Sequence, residues 1–304
     1  MCGRWRWRTS APLDVQWKAD ASPVTIADRA VERVLRVAIA SRFPGHGILG
    51  EEEAVSIERE LLWVVDPIDG TKSFISGLPL FGTLVAVAVA GRPQVGVIEM
   101  PALGERFVGA TGEGTRFNGT SCRTSGVTRL CDARLCPPPP ICSPASRQLP
   151  FLPWRRGGMR RFGGDCYAYG LLSCGHVDLA VEASLKPYDF MAPVPVVEGA
   201  GGVITDWNGA PLKLSSGGRV MAAANGALHA EALALLSAAF ERLRGSEVEA
   251  ADAPSIRAAT QYSRMRIEDI ASACASFPRL RRHMRHHVKG GHHELLYELL
   301  RHPA

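Results

Sequence analysis

The stretch that decides the fold is WVVDPIDGTKSF, residues 63–74, where an apolar run ends in two aspartates three residues apart. The run predicts a buried strand, and Pro67 and Gly70 predict a tight turn at its carboxyl end. Such a turn puts the Asp66 and Asp69 carboxylates on one side of a loop, where they can ligate Mg²⁺. A helix that begins after Gly70 would point its free N–H groups at an anion such as phosphate. An Asx-type turn explains the same residues without a metal.

Further carboxylates occur at two other places in the chain. Three adjacent glutamates, residues 51–53, follow Gly50, and a divalent metal would relieve their mutual repulsion. Asp189 lies at the start of an apolar helical pattern and can complete a metal site from a distant part of the chain. A helix N-cap accounts for Asp189 equally well.

Composition excludes several classes of protein. The chain has 304 residues, 46% of them hydrophobic, which predicts a globular core. The longest wholly apolar stretch, residues 84–90, is far shorter than the roughly 20 residues of a membrane helix. The basic N-terminus has no apolar run, so no secretory signal is expected and a cytoplasmic location is predicted. The net charge of +5 is mild, and residues 1–240 carry only +2 of it, which argues against nucleic acid as a partner.

The eight cysteines lack C-x-x-C pairs and are interpreted as reduced thiols.

Hydrophobic periodicity predicts alternating helices and strands. Helices are predicted over 26–43, around 167–174 and up to 201–202. Strands are predicted over 61–65, 82–90, 94–100, 106–109, 177–181 and 203–206, with a hairpin turn at 91–93. Prolines crowd residues 123–160, where neither a helix nor an inner strand is expected.

These patterns divide the chain into three parts. Residues 1–17 form a short basic segment, and residues 18–240 form the main domain, whose two halves are joined by the proline-rich stretch at 123–160. Residues 241–304 are a basic, His-rich extension. That extension reads as a solvated or partly ordered tail, although histidine-rich tracts also bind metals.

Three motifs resemble those of the inositol monophosphatase superfamily of Mg²⁺-dependent, lithium-sensitive phosphatases. They are WVVDPIDGTKSF, GEEE at 50–53 and YDFMAPVPVVEGAGG at 188–202, and the likeness extends over residues 18–236. KADASPVTIAD at 18–28, GGDCYAYGLL at 163–172 and LKPYDF at 185–190 resemble the bacterial histidinol-phosphatase branch. The resemblance implies an α/β (α+β) layered sandwich of alternating helix and sheet layers, two or three Mg²⁺ ions as cofactors, and a homodimer.

The resemblance also implies a role for individual residues. The metal ligands it implies are Glu51, Asp66, the Ile68 carbonyl, Asp69 and Asp189. Two such ions can clamp the attacking and departing oxygens of a phosphoryl transfer.

A metal-activated water is the implied nucleophile, and the catalytic residues are Glu51, Thr71 and Asp28. Thr71 is expected to hydrogen-bond to Asp28, and Gly70 and Thr71 are expected to bind phosphate through their N–H groups. A capping box between Thr25 and Asp28 explains Asp28 without catalysis. Asp28 can form this capping box and also take part in catalysis.

Substrate choice rests on acidic residues. Glu182 lies seven residues before Asp189, where the family places a substrate-binding carboxylate, and Asp69 and Asp165 are expected to border the same pocket. An acidic rim favours a cationic alcohol such as histidinol, whose imidazole titrates near neutrality. The expected reaction is hydrolysis of L-histidinol phosphate in histidine biosynthesis. Hydrolysis of inositol-1-phosphate or of sugar phosphates is the alternative, and a degenerate, non-catalytic binding protein is another.

Departures from the family pattern favour that last alternative. Only 17 residues precede Lys18, which implies a truncated helical layer, and the proline-rich middle replaces ordered elements. Pro193 falls one turn into the helix expected at Asp189, where an interior proline costs up to about 3 kcal/mol.

Overall fold

Two β-sheets form the body of the fold, and helices cover their faces. The computed structural model describes residues 15–18, 23–53, 59–137 and 158–244. A seven-stranded sheet contains, in spatial order, β3 (Gly47–Gly50), β4 (Leu61–Asp69), β5 (Gly82–Val89), β6 (Arg92–Met100), β7 (Glu105–Ala110), β8 (Gly114–Phe117) and β9 (Thr120–Cys122). A five-stranded sheet contains β11 (Met159–Arg160), β10 (Arg134–Cys136), β12 (Leu179–Glu182), β14 (Val220–Ala223) and β13 (Val203–Asp206). A two-stranded ribbon pairs β1 (Val15–Trp17) with β2 (Pro23–Thr25).

The helices complete a layered arrangement. They are α1 (Ile26–Arg42), α2 (Thr71–Ile75), α3 (Asp165–Ser173), α4 (Pro187–Phe190), α5 (Pro193–Gly199) and α6 (Gly226–Arg244). α1 packs Leu35 against one face of the large sheet, and α3 and α5 pack between the two sheets. α6 packs Leu228 on the far face of the small sheet. Helix and sheet layers therefore alternate, which confirms the predicted fold class.

Strand alternation explains how one sheet serves two hydrophobic layers. Along β4, Trp63 and Val65 face α1, whereas Leu62 and Val64 face the helices between the sheets. Gly96 on β6 allows α5 to approach closely, because a Cβ there would lie 2.0 Å from the Ala192 carbonyl oxygen. Both faces of β4 are thus buried, as its continuous apolar run predicts.

Most predicted elements are present with adjusted ends. The predicted hairpin turn at 91–93 is shorter, because Arg92 and Pro93 already belong to β6. Pro93 lies at an irregularity in the β5–β6 pairing, where a missing N–H is tolerated. The helix expected at Asp189 is divided into α4 and α5, and Pro193 is the first residue of α5. A proline at the first helical position removes no interior hydrogen bond, so the predicted penalty does not arise.

The proline-rich region departs from expectation at its start. β10 is an inner strand, parallel to both β11 and β12, although no inner strand was expected over 123–160. Residues 138–157 lie outside the described part, as do residues 1–14 and 245–304, so most of the basic N-terminal segment and the His-rich tail are not described. α6 continues through Arg244, past the predicted boundary at 240. Among the helices described, none has the length and apolar character that a membrane crossing requires.

Candidate metal centre

A β-bulge explains why Asp66 and Asp69 lie together. Asp66 pairs with Leu84 of β5 and Asp69 with Gly82, so β4 has one more residue than β5 between these pairs. In a regular strand, residues three apart point to opposite faces, and the extra residue brings both carboxylates to the same side. The Thr83 hydroxyl donates to the Pro67 carbonyl at 2.8 Å and so satisfies the backbone at the bulge.

The turn after Asp69 follows from Gly70. Gly70 has φ +76°, a left-handed conformation that glycine adopts without strain, and it caps α2. A Cβ at Gly70 would lie 2.9 Å from Asp165 Oδ2, so glycine also leaves room for that carboxylate. The Thr71 hydroxyl donates to the Ile68 carbonyl at 3.1 Å. The predicted bond between Thr71 and Asp28 is not formed.

Asp28 is held by its own helix instead. Its Oδ2 accepts from the Thr25 N–H at 2.7 Å and from the Thr25 hydroxyl at 2.5 Å, which confirms the capping box. Its Oδ1 is buried and has no hydrogen-bond partner among the described residues. A capping box is local in sequence, so it forms whether or not Thr71 is near.

Asp189 and Glu51 reach the cluster from two other segments. Asp189, on α4, accepts from the Lys186 N–H at 2.6 Å. Glu51 follows β3, lies close enough to Asp66 for the two carboxylates to repel each other, and accepts from Lys18 Nζ at 2.6 Å. The side chains of Asp66, Asp69 and Asp189 each offer an oxygen, and these atoms lie within 4.8 Å of one another.

Burial and like charge act together on these carboxylates. Burial raises the pKa of Asp66 well above its usual value, and repulsion from Glu51, Asp69 and Asp189 raises it further. Burial raises the pKa of Asp69 to about 7, with Asp165 adding repulsion. Burial and then Asp69 raise the pKa of Asp189 well above the normal range. Each of these groups therefore binds a proton more tightly than an exposed carboxyl group does, because its charge would be buried and crowded by others.

The residues present fit a divalent cation. Asp66 is 1% exposed, and its Oδ1 has no hydrogen-bond partner within the described part of the chain. A buried carboxylate oxygen without a partner is costly, and a metal ion would supply the missing interaction. Hard oxygen ligands from Asp66, Asp69 and Asp189 suit Mg²⁺.

A second group of acids borders Asp66, Asp69 and Asp189, which together form the aspartate cluster. Asp165 has φ +46°, a strained conformation for a residue other than glycine, and its Oδ2 accepts from the Ser73 hydroxyl at 2.7 Å. The next residue, Cys166, donates its N–H to Asp69 Oδ2 at 2.6 Å. The N-terminus of α3 therefore contacts the predicted metal site directly.

Glu182 is the second member of this group, and we call Asp165 and Glu182 together the acidic recess. Glu182 ends β12 and accepts from the hydroxyl of the buried Tyr169 at 2.7 Å. Burial raises the pKa of Glu182 to about 8, and repulsion from Asp69 and Asp165 adds to this. Ser73 and Tyr169 have no local sequence signal that marks them as site residues, because their roles depend on contacts between distant segments.

Comparison with known proteins fits this geometry. The sequence pattern of the Inositol monophosphatase family matches residues 5–241. The chain belongs to the inositol monophosphatase family. It is therefore a phosphoric monoester hydrolase of a metal-dependent family.

Relatives with different stated activities resemble the chain to similar degrees. The "Bifunctional phosphatase IMPL2, chloroplastic" of Arabidopsis thaliana is 42% identical over 232 residues, which cover 73% of this chain and 67% of that protein. A histidinol-phosphatase of Chlorobaculum parvum is 36% identical over 218 residues, or 69% and 82% of the two chains. The structure of an inositol monophosphatase from Zymomonas mobilis has 43% identity and a TM-score of 0.68, and covers 75% of this chain and 89% of its own.

Proposed function

We propose that the protein is a Mg²⁺-dependent histidinol-phosphatase, which converts L-histidinol phosphate and water to L-histidinol and phosphate in histidine biosynthesis. The acidic recess beside the aspartate cluster carries this proposal. Burial raises the pKa of both Asp165 and Glu182, and a bound cation would favour their ionised forms. Histidinol can supply that cation, since it carries an amine and an imidazole, whereas inositol carries no charge. The similarity to histidinol-phosphatases supports the same substrate.

In this proposal the metal ligands are Glu51, Asp66, the Ile68 carbonyl, Asp69 and Asp189. Bound Mg²⁺ would supply positive charge that neutralises the phosphate and lowers the pKa of water. Two ions fit this number of ligands, and a third would be held loosely near Glu51.

The chain's own residues bind and orient the ester. The N–H groups of Gly70 and Thr71, at the start of α2, donate to phosphate oxygens. The Thr71 hydroxyl orients the attacking water, and Glu51 takes up its proton. Asp28 assists through its unpartnered Oδ1, since it lies close enough to Glu51 to raise the pKa of that group by repulsion. Positioning and charge neutralisation suffice for phosphoryl transfer, so no covalent intermediate is needed.

The substrate side of the site is formed by Asp69, Asp165 and Glu182. Asp69 lies between the two groups, since it belongs to the aspartate cluster and accepts the N–H that follows Asp165. We further propose a homodimer in the cytoplasm. The phosphatase domain is proposed to cover residues 18–240, with residues 241–304 as a separate extension.

Inositol-1-phosphatase activity is the second candidate, because the relatives include a bifunctional phosphatase and an inositol monophosphatase of 43% identity. Phosphate release from histidinol phosphate and from inositol-1-phosphate, each with and without Mg²⁺, separates the two. We expect histidinol phosphate to be hydrolysed at least tenfold faster. Equal rates would contradict the substrate assignment.

The Asp66→Asn variant tests the metal ligands. It should lose turnover with both substrates and keep the circular dichroism of the wild type, because a neutral amide of the same size replaces a buried carboxylate. If the wild type and the variant are equally inert, the non-catalytic alternative is favoured.

A further inference from the structure

Glu32 on α1 is a fully buried carboxylate that belongs to neither the predicted metal ligands nor the acidic recess. Its Oε2 accepts from the Glu52 N–H at 2.7 Å, and its Oε1 accepts from the Glu53 N–H at 3.1 Å. Both donors lie in the loop that carries Glu51. A single side chain on the outer helix layer therefore binds two successive N–H groups beside a proposed metal ligand.

Arg36, one turn further along α1, adds hydrogen bonds to Glu32 and to the same loop. Its Nε donates to Glu32 Oε1 at 2.7 Å, and its Nη2 donates to the Glu53 carbonyl at 2.6 Å. Glu32 and Arg36 together thus contact two N–H groups and one carbonyl group of the loop backbone. Arg36 also compensates the charge of Glu32, which would otherwise add to the repulsion among nearby carboxylates.

Gly50 shows how closely the carboxylate fits. A Cβ on Gly50 would lie 2.0 Å from Glu32 Oε1 and 2.8 Å from Arg36 Nη2. No positive φ requires glycine at this position, since Gly50 is outside the set with left-handed backbone. The absence of a side chain at Gly50 is therefore a requirement of the Glu32 contact and not of the turn.

The loop needs external support because its own residues repel one another. Lys18 Nζ donates to Glu51 at 2.6 Å and to Glu52 at 2.5 Å, so two carboxylates converge on a single cation. We propose that Glu32, together with Arg36, is a positioning residue that fixes the loop of residues 51–53 and thereby sets the affinity of the site for its divalent cation. This inference rests on the proposed metal site at Glu51.

Two variants remove the contact from opposite sides. In Glu32→Gln, one amide N–H₂ faces a loop N–H, so one of the two backbone donors loses its acceptor. In Gly50→Ala, the new methyl group displaces the Glu32 carboxylate. Losing one hydrogen bond to a charged acceptor should raise the Mg²⁺ dissociation constant about tenfold in each case. Calorimetric titration of Mg²⁺ into the substrate-free protein measures this without any turnover.

Kinetics provide the second readout. The Mg²⁺ concentration for half-maximal activity should rise about tenfold, while kcat at saturating Mg²⁺ changes less than threefold, because the metal restores the loop once bound. Glu60→Gln makes the same chemical change at an exposed position just before β4, and it should change neither quantity. The double variant of Glu32 and Gly50 should lose no more affinity than either single variant, since both disrupt one contact.

Each outcome decides the inference. Unchanged Mg²⁺ affinity in folded Glu32→Gln or Gly50→Ala would overturn it, as would additive losses in the double variant. If Glu32→Gln does not fold, Gly50→Ala carries the test, because it changes neither the Glu32 nor the Arg36 side chain and removes only the space that their contact with the loop requires. A wild type that binds Mg²⁺ but hydrolyses no phosphate ester would refute the proposed function, while the calorimetric comparison would still judge the role of Glu32.

Discussion

Replacing Asp69 by asparagine should stabilise the metal-free protein while destroying its metal site. The pKa of the Asp69 carboxyl is raised from 3.8 to about 7, chiefly by burial and then by repulsion from Asp165. Since each pKa unit corresponds to about 1.4 kcal/mol, ionising Asp69 in the folded protein costs about 4 kcal/mol above pH 7. Asparagine carries no charge, and its Oδ1 can still accept the Cys166 N–H that donates to Asp69 at 2.6 Å.

The sign of the pH dependence follows from the raised pKa. Below pH 4 the folded and unfolded states both hold the proton, so Asp69 costs nothing. Between pH 4 and pH 7 only the folded state holds it, and stability falls as pH rises; above pH 7 the full penalty applies. The free energy of unfolding of Asp69→Asn should therefore exceed that of the wild type by about 4 kcal/mol at pH 8. At pH 5 the difference should shrink to about 1.7 kcal/mol.

Urea unfolding in the presence of a chelator, at pH 5 and pH 8, measures both differences. Asp132→Asn is a matched control, because Asp132 is exposed and only a surface ion pair with Arg129 is affected; its effect should stay within about 0.5 kcal/mol at either pH. Added Mg²⁺ should narrow the difference, since the wild type alone gains binding energy, and the order of stability at pH 8 should reverse only when the Mg²⁺ concentration exceeds the dissociation constant about 1,000-fold. Equal stability of wild type and Asp69→Asn at pH 8 would refute the view that the buried carboxylates strain the metal-free fold.

Three further predictions concern packing, substrate recognition and the extension. Gly96→Ala should lower the free energy of unfolding by about 1–3 kcal/mol, because its Cβ would meet the Ala192 carbonyl at 2.0 Å, whereas Gly126→Ala, with open space around it, should leave urea unfolding unchanged. Glu182→Gln should raise the KM for histidinol phosphate about tenfold with a smaller change in kcat, and an unchanged KM would contradict recognition of a cation. Truncation after residue 244 should preserve phosphate release, and a large loss would contradict the proposed domain division.

The sequence predicted the carboxylates of the site because strand ends and turns have local signatures. An apolar run that stops at Asp66, followed by Pro67, Asp69 and Gly70, indicates a strand, a turn and a cluster of oxygen ligands within a few residues. The bulge that turns both aspartates to one side was not predictable. It depends on the register of β5, which only the folded sheet defines.

Local interactions also explain where the sequence interpretation failed. Thr71 was expected to bond to Asp28, but Thr25, three residues from Asp28, supplies two donors at once. Thr25 uses only Oδ2 of Asp28, and the Thr71 hydroxyl donates instead to the Ile68 carbonyl, three residues away. Contacts this local form without closing a long loop of chain. β10 was missed because it directly precedes a run of four prolines, residues 137–140, and its pairing with β12 is set by a segment more than 40 residues away.

Tyr169 and Glu32 form contacts that a single sequence does not predict. Tyr169 matches the pattern of a core aromatic, and it is one, but its hydroxyl reaches Glu182 across the layer. Glu32 lies on the apolar side of α1, where a charged residue conflicts with the helical pattern. A polar residue on a core-facing position violates binary patterning, and such violations concentrate at functional sites.

These contacts share one physical origin, which is the cost of gathering negative charge inside a protein. Asp66, Asp69 and Asp189 approach within 4.8 Å, and nothing in their own chemistry favours that approach. The energy that holds them comes from neutral elements: the bulge paired to β5, and helices packed in apolar layers. Their segments are then fixed by hydrogen bonds to backbone N–H groups, from Cys166 to Asp69 and from the Glu51 loop to Glu32. Apolar packing therefore offsets the free-energy cost of burying these carboxylates, and a bound cation would lower that cost.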